Sequence, residues 1–360
     1  MSTPHRRDAV TSRHIREFAD VTRRLLLGSS LFGTDGAMVD VLVNPASGLL
    51  KTGPAHRRMM RYLRRLADAR SSGRDARDDL EIRFHETRNR EDAGKTAVRL
   101  VKNLVASAAG RRRLLVLAGG DGFHNDIGTA LFTEVPEAMK EILIFRLPMG
   151  TGNDNSDAAT VEEAFAILAS ASSDRTDALI EVRTRRGERH YAFNVVSFGL
   201  DAFVADLTNR MKKLAGPRMI YRIFADVAVL FYRRIWPLKD WTIRIRRGEE
   251  VEERRGPFLM TVFGRRGGTC YGGGMKVLPG DENFMLIEPL SLAAMLRIKP
   301  LFYRGAHRGL PIAEFFHADS LEMSHDGAIL METDGEITRI EAEDFPLVIR
   351  RIPEVLRILE

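Results

Sequence analysis

The chain has 360 residues, 44% of them hydrophobic and 29% charged, which is ordinary globular composition for about two domains and excludes disorder and collagen. No stretch approaches the roughly 20 uninterrupted apolar residues that cross a bilayer, the first residues carry no apolar signal core, and a lone cysteine, Cys270, excludes an intramolecular disulfide, so a cytoplasmic protein is expected. The net charge of +6 is uneven: residues 1–120 carry 24 Lys and Arg against 13 Asp and Glu, a balance of +11 that suits an anionic partner or forms a solvated arginine face, while the remainder balances at −5.

Residues 1–35 read as an extension packed outside the first domain, with one amphipathic helix over 16–27 before the run from Gly28 to Gly36 breaks any regular element. From Met38 short aliphatic runs alternate with helical patterns. MVDVLVNP is a strand, and 55–70 is a helix whose apolar side (Met59, Met60, Leu63, Leu66, Ala67) recurs at three- and four-residue steps. EIRFHET is a strand, 92–109 a helix, RLLVLAGG an apolar strand, 122–131 a helix, EILIFRLP a strand and 160–171 a helix. Strand and helix alternating at this spacing imply a doubly wound parallel sheet covered on both faces. After about Ser173 the runs become short strands separated by turns, interrupted by helical segments at 204–234 and 292–303, which implies a β-rich second domain. The expected division is 1–35, 36–173, 174–345 and a segment 346–360 that is free to return to the first domain.

In a doubly wound sheet, ligands bind beyond the carboxyl ends of the strands. Three loops there carry unusual residues: Asn44-Pro45-Ala46-Ser47-Gly48, then Gly119-Gly120-Asp121-Gly122-Phe123-His124-Asn125-Asp126, then Pro148-Met149-Gly150-Thr151-Gly152-Asn153-Asp154. Glycines let the backbone turn its N–H groups toward an anion, and a following helix adds its positive end. A carboxylate beside phosphates, Asp121, suits Mg²⁺; Thr151 and Asn153 offer neutral donors, and Asp154 an acceptor, to a nucleotide. Each loop taken alone is also an ordinary strand-to-helix connection. No Gly-x-x-x-x-Gly-Lys P-loop occurs, and no Gly-x-Gly-x-x-Gly stands in the dehydrogenase position.

NPASG, GGDGFHND and PMGTGND resemble the three signature loops of the diacylglycerol kinase catalytic family, which includes bacterial lipid kinases, sphingosine kinases and ceramide kinases. FNVVSFGLDAFV, TCYGGGMKVLP and METDGEI continue the resemblance in order, from Met38 to Glu341. It implies an α/β nucleotide domain followed by a β-sandwich, and an ATP- and Mg²⁺-dependent kinase acting on the hydroxyl of diacylglycerol or a related long-chain lipid. Carried over by position, Asn44, Ser47, Gly48, Thr87, Gly119, Gly120, Asp121, Gly122, Asn125, Thr151, Gly152, Asn153 and Asp154 would border the nucleotide, with Asp121 toward Mg²⁺. Asp334 would be the general base, with Glu336 beside it. By itself, Asp334-Gly335 is first a hairpin turn signal. The resemblance also implies peripheral contact with a membrane surface, and a homodimer stays open.

Two departures stand out. Phe123 replaces the family's threonine, with Asp126 in place of glutamate, and the segment 279–284 is shorter than the family's Mg²⁺-organising loop. They leave a non-catalytic nucleotide or lipid binder as one alternative and an NAD kinase, which shares the Gly-Gly-Asp-Gly loop, as another. Nucleic-acid binding rests on charge alone and is not expected. His124 reads as a surface residue at a helix N-terminus, and the basic and aromatic stretch 211–241 as a helix facing either the core or a bilayer.

Overall fold

The computed structural model of the protein describes residues 4–29, 36–51, 53–71, 80–107, 110–150, 153–170, 173–212, 232, 234–271 and 274–359. The chain divides into two compact units: residues 1–177 with 354–360, and residues 178–353.

The first unit is built from α1 (Pro4–Leu27), β1 (Ala37–Val43), α2 (Gly48–Lys51), α3 (Gly53–Ser71), β2 (Leu80–Glu86), α4 (Arg90–Ser107), β3 (Arg112–Gly119), α5 (Asp121–Glu134), α6 (Pro136–Lys140), β4 (Leu143–Pro148) and α7 (Val161–Ser170). Its strands run parallel in the order β2-β1-β3-β4, and Arg357 and Ile358 near the end of the chain pair with Leu143 and Ile144. The strand order reverses between β1 and β3, which opens a crevice at their carboxyl ends.

Each strand residue serves one face by its parity. Val39, Val41 and Val43 join the core formed with α1, α3 and α7, whereas Asp40 and Leu42 turn to the other side. Asp40 is fully buried. Its carboxylate accepts from Arg83 at 2.9 and 2.7 Å and lies 2.7 Å from the His85 ring, both on β2, which pins the register of that edge strand. A second buried pair shapes the loop after β4: Arg146 meets Asp157 at 2.5 Å and Asn155 at 2.6 Å.

The N-terminal helix corrects a sequence expectation. It is longer than 16–27, and Phe18, Val21, Leu25 and Leu26 are integral to the first unit's core, so it is no outer extension. Phe18 meets Phe165 of α7 edge to face, centroids 6.1 Å apart. Its apolar period is the same as that of α3, and a helix with such a stripe has to bury it somewhere.

The second unit contains β5 (Asp174–Arg183, from Ala178 on), β6 (Arg189–Ala192), β7 (Val195–Gly199), α8 (Leu200–Lys212), β8 (Trp241–Arg247), β9 (Glu250–Gly256), β10 (Met260–Gly264), β11 (Cys270–Tyr271), β12 (Met275–Lys276), β13 (Phe284–Ile287), the helix Leu292–Arg304, β14 (Ala313–Phe316), β15 (Ser320–His325), β16 (Ile329–Thr333), β17 (Glu336–Ile340) and most of β18 (Leu347–Leu359). Two sheets form it. One has the order β14-β13-β10-β7-β16-β17; the other carries β18-β15-β8-β9, with β5 on β18 and β6 on β5. Val196, Phe198, Phe263, Phe284 and Met331 of the first sheet pack on Trp241, Ile243, Leu321 and Leu347 of the second. The residues between them in sequence, Val195, Val262, Met285 and Ile287, line a second apolar core with α8 and the helix Leu292–Arg304. A sheet buried on both faces thus separates a sandwich core from a helix-covered one.

Residues 213–231 and 233, most of the basic and aromatic stretch, lie outside the described residues. Of its described aromatics, Tyr232 and Trp241 are buried and Trp236 stacks under Arg339 at 5.5 Å, so they face protein.

Replacing Phe18 by Ala is expected to destabilise the first unit by about 3–5 kcal/mol, the range for truncating a fully buried aromatic. Chemical denaturation checks it, and a loss below about 1 kcal/mol, normal for a surface site, would restore the outer-extension reading.

Candidate active site

In the first unit, three loops meet at the carboxyl ends of β1, β3 and β4. The Asn44 N–H donates to Ala118 O (3.0 Å), Met149 N–H to Gly119 O (2.8 Å) and Leu49 N–H to Met149 O (3.4 Å). Gly120 and Gly150 touch backbone to backbone: a Cβ on Gly150 would sit 2.6 Å from the Gly120 Cα, which no side chain tolerates. The glycines are therefore required by loop-on-loop packing as well as by any ligand.

Asp121 holds this junction. Its Oδ2 accepts the Asn153 N–H at 2.8 Å and its Oδ1 the Asn155 N–H at 2.9 Å. Asn153 sits at φ 65°, and its own Oδ1 accepts the Gly150 N–H at 2.8 Å. The sequence suggested Asp121 as a Mg²⁺ partner, whereas the structure uses both its oxygens as a brace between loops. Among the described residues no three His, Cys, Asp or Glu converge to hold a metal ion.

Ser47 does present itself for a ligand. It is 5% exposed and, among the described residues, its hydroxyl has no hydrogen-bond partner, nor has the buried Oδ1 of Asn125. An unpaired buried hydroxyl beside a glycine loop fits a phosphate oxygen. Asn44 closes its own turn by accepting the Ala46 N–H on Oδ1 at 2.9 Å, and Gly48 begins α2. Gly120 stands at the N-cap of α5 and brings no side chain to it, while Gly122 lies in the first turn. Thr87 is directed elsewhere: its hydroxyl donates to Val43 O at 3.3 Å, tying β2 to β1. Thr151 and Gly152 lie outside the described residues, and Asp154 remains in the same loop as Asn153.

Phe123 is 8% exposed, and its ring fills the space over Gly119, where a Cβ would stand 2.1 Å from Cδ1. His124 is buried and not a surface residue. Its Nε2 lies 3.1 Å from Leu117 O, and burial, helped by the Arg146 charge, pushes the imidazole down to about 4. Asp126 pairs with Arg90 at 2.5 and 2.6 Å.

In the second unit, Asp334 and Gly335 form the two-residue turn between β16 and β17, at φ 50° and 91°, where Thr333 pairs with Glu336. Both central residues lie at positive φ, the geometry that favours Asp-Gly. The Asp334 side chain folds back onto the backbone before β7, accepting N–H groups from Phe193 (2.5 Å), Asn194 (3.0 Å) and Val195 (2.9 Å). It is 7% exposed, and three fixed donors set its orientation. Glu336 is only partly buried, on the far side of the turn. In the shortened segment, Glu282 is paired with Arg308.

Beside this hairpin lie groups that sequence reasoning passed over. Ser197 on β7 faces Glu332 on β16, and Asp201 enters from the first turn of α8. Gly199 makes that entry: at φ 84°, its missing Cβ would meet Leu259 O at 2.5 Å. Asp201 also lines a half-open cavity of about 90 Å³ bordered mostly by apolar groups, among them Val204, Met260, Ile287, Met295 and Phe302, with Lys299 also in its wall. The FGLDAFV segment held the signal, but an Asp in a helix first turn reads as capping.

Comparison with known proteins supports the same division. The diacylglycerol kinase catalytic domain model matches residues 38–181, and the YegS C-terminal NAD kinase beta sandwich-like domain model matches residues 194–360. No curated protein matches the chain. Two solved structures of a Bacillus anthracis str. Sterne protein assigned as a diacylglycerol kinase share 16% identity and cover 91% of this chain and 98% of their own, with TM-scores of 0.58 and 0.57. A further diacylglycerol kinase structure from that organism, at 14% identity and a TM-score of 0.53, covers 91% of this chain and 97% of its own. At these identities they establish the fold, and the two domain models, in order along most of the chain, place the protein in the diacylglycerol kinase catalytic-domain family, whose members are nucleotide-using phosphotransferases.

Proposed function

We propose that the protein is a lipid kinase that transfers the γ-phosphate of ATP to a hydroxyl of diacylglycerol or a related long-chain lipid. The observation that carries this reading is the cavity of the second unit. Its lining, mostly aliphatic and aromatic side chains, suits acyl chains, and in a kinase family such a cavity points to a lipid acceptor.

The first unit would bind the nucleotide through the glycine loops, the N-terminus of α5 and the Ser47 hydroxyl, with Asn153 and Asp154 toward the nucleoside. Magnesium, in this reading, arrives already chelated by the phosphates of ATP. Asp334 would accept the proton of the acceptor hydroxyl as its oxygen bonds to the γ-phosphorus and the bridging P–O bond to ADP breaks, with Glu336 as its neighbour in the proton network. Its three N–H bonds hold the carboxylate in one orientation, as a base requires. Among the described residues no helix is long and apolar enough to cross a membrane. The substrate would be met at a membrane surface, for which the exposed Arg57, Arg58, Arg61, Arg64 and Arg65 of α3 offer a cationic face. One observation favours a non-catalytic binder instead: Phe123 puts an aromatic ring where the family has a hydroxyl.

Phosphate incorporation from labelled ATP into a panel of lipids in mixed vesicles decides between these. Incorporation into a long-chain alcohol supports the kinase. ATP binding without transfer to any lipid supports the binder, and NADP formation from NAD supports an NAD kinase. Asp334→Asn is expected to lower turnover by about 100-fold or more, the scale of a lost general base, with about 1–3 kcal/mol of stability, since one acceptor oxygen becomes a donor facing an N–H. Ser47→Ala should raise the dissociation constant of ATP about tenfold, or about 1.4 kcal/mol, and leave the melting temperature unchanged, because the hydroxyl bonds to nothing among the described residues. Titration calorimetry and thermal melts read both quantities, and unchanged ATP affinity would remove Ser47 from the site.

A further inference from the structure

The mostly apolar cavity of the second unit is also lined by an acid, Asp201, and a base, Lys299. Asp201 lines it while only 7% exposed. Its Oδ2 accepts from the Ser197 hydroxyl at 2.6 Å and from the Tyr271 hydroxyl at 2.5 Å, and among the described residues no hydrogen bond falls on its Oδ1. Ser197 Oγ also lies 3.1 Å from Glu332 Oε2, and Glu332 Oε1 accepts the Gly335 N–H.

A serine hydroxyl has one proton. Donating it to Asp201, Ser197 can meet Glu332 only as an acceptor, so Glu332 has to carry the proton of that hydrogen bond. Burial raises both acids, and the charges of Asp201 and Asp334 hold Glu332 well above the ordinary carboxylate range. A proton held between the two carboxyls is thereby favoured on Glu332, and the negative charge on Asp201, whose Oδ2 has two hydroxyl donors.

A buried carboxylate is costly unless its oxygens find donors. Here both protein donors fall on Oδ2, and Oδ1 belongs to a residue of the cavity wall. A plain hydrocarbon chain would never offset that burial. We propose that Asp201 is a specificity-determining residue of the cavity, its Oδ1 accepting a hydrogen bond from a second donor on the long-chain acceptor, a hydroxyl or amine next to the hydroxyl that is phosphorylated. The acceptor class is thereby a long-chain 1,2-diol or 2-amino alcohol, in preference to a fully esterified glyceride whose only donor is the reacting hydroxyl. Protonated Glu332, through Ser197, keeps the charge on Asp201. This rests on the lipid-kinase reading and narrows its substrate. An analogue without the second donor leaves Asp201 unpaired, which is how a polar group in an apolar site discriminates.

Binding alone tests it, so its failure is distinct from failure of the kinase reading. The full-length protein is titrated with dodecane-1,2-diol, 2-aminododecan-1-ol and 2-methoxydodecan-1-ol, below their micellar concentrations, and followed by tryptophan fluorescence. Wild type is expected to bind the diol and amino alcohol about tenfold or more tighter than the methyl ether. Asp201→Ala should reduce the ratio below about threefold while the ether binds as before, which shows an intact cavity. Asp201→Asn, closer in shape, should lose the amino alcohol preference first. Equal binding of all three by wild type overturns the proposal, even if some lipid is phosphorylated, and so does the absence of saturable binding by any of them.

Discussion

A carboxylate removed from water must find hydrogen-bond donors, and in this protein the donors are largely the backbone N–H groups of its own loops. Asp121 spends both oxygens on Asn153 and Asn155, and Asp334 accepts from three consecutive residues, Phe193 to Val195. Each acid belongs to a signature motif, and each fixes a loop distant in sequence from it. Without such an acceptor the loop after β4 would have no reason to lie on the glycine turn after β3, and the segment before β7 would have none to close on the hairpin.

The same constraint separates bracing from chemistry. A hydroxyl whose proton is donated within the protein belongs to the frame, as with Thr87, whose hydroxyl ends on Val43 O. A buried polar atom without a partner among the described residues is a place for something else, as with the Ser47 hydroxyl. Residue type cannot tell these apart, because threonine and serine have the same donor and acceptor. Direction does, and direction comes from packing. Asp201 lies between the two cases, with one oxygen held by Ser197 and Tyr271 inside a mostly apolar wall that also carries Lys299.

Much of the architecture was legible because period alone specifies it. Three of the four parallel strands of the first unit, β1, β3 and β4, are largely apolar runs, the helices between them carry stripes at three- and four-residue steps, and Asp334-Gly335 announces its turn by its demand for positive φ. The N-terminal helix was placed outside for the opposite reason: its stripe was visible, but the surface that would receive Phe18 is made by α3 and α7, far along the chain. His124 was misread in the same way, since a polar residue after a glycine turn gives no local sign that it will point under β3.

The sequence by itself determined the element order, the glycine loops at the strand ends, the hairpin and the family they resemble, because each is a local pattern with a local physical cause. Only the tertiary structure decided which of those polar groups are spent on the frame, which remain for a ligand, and that Ser197, Asp201, Tyr271 and Glu332 share a single network. Those outcomes depend on atoms brought together from β7, α8, β11 and β16, up to 135 residues apart, and on the exclusion of water from between them.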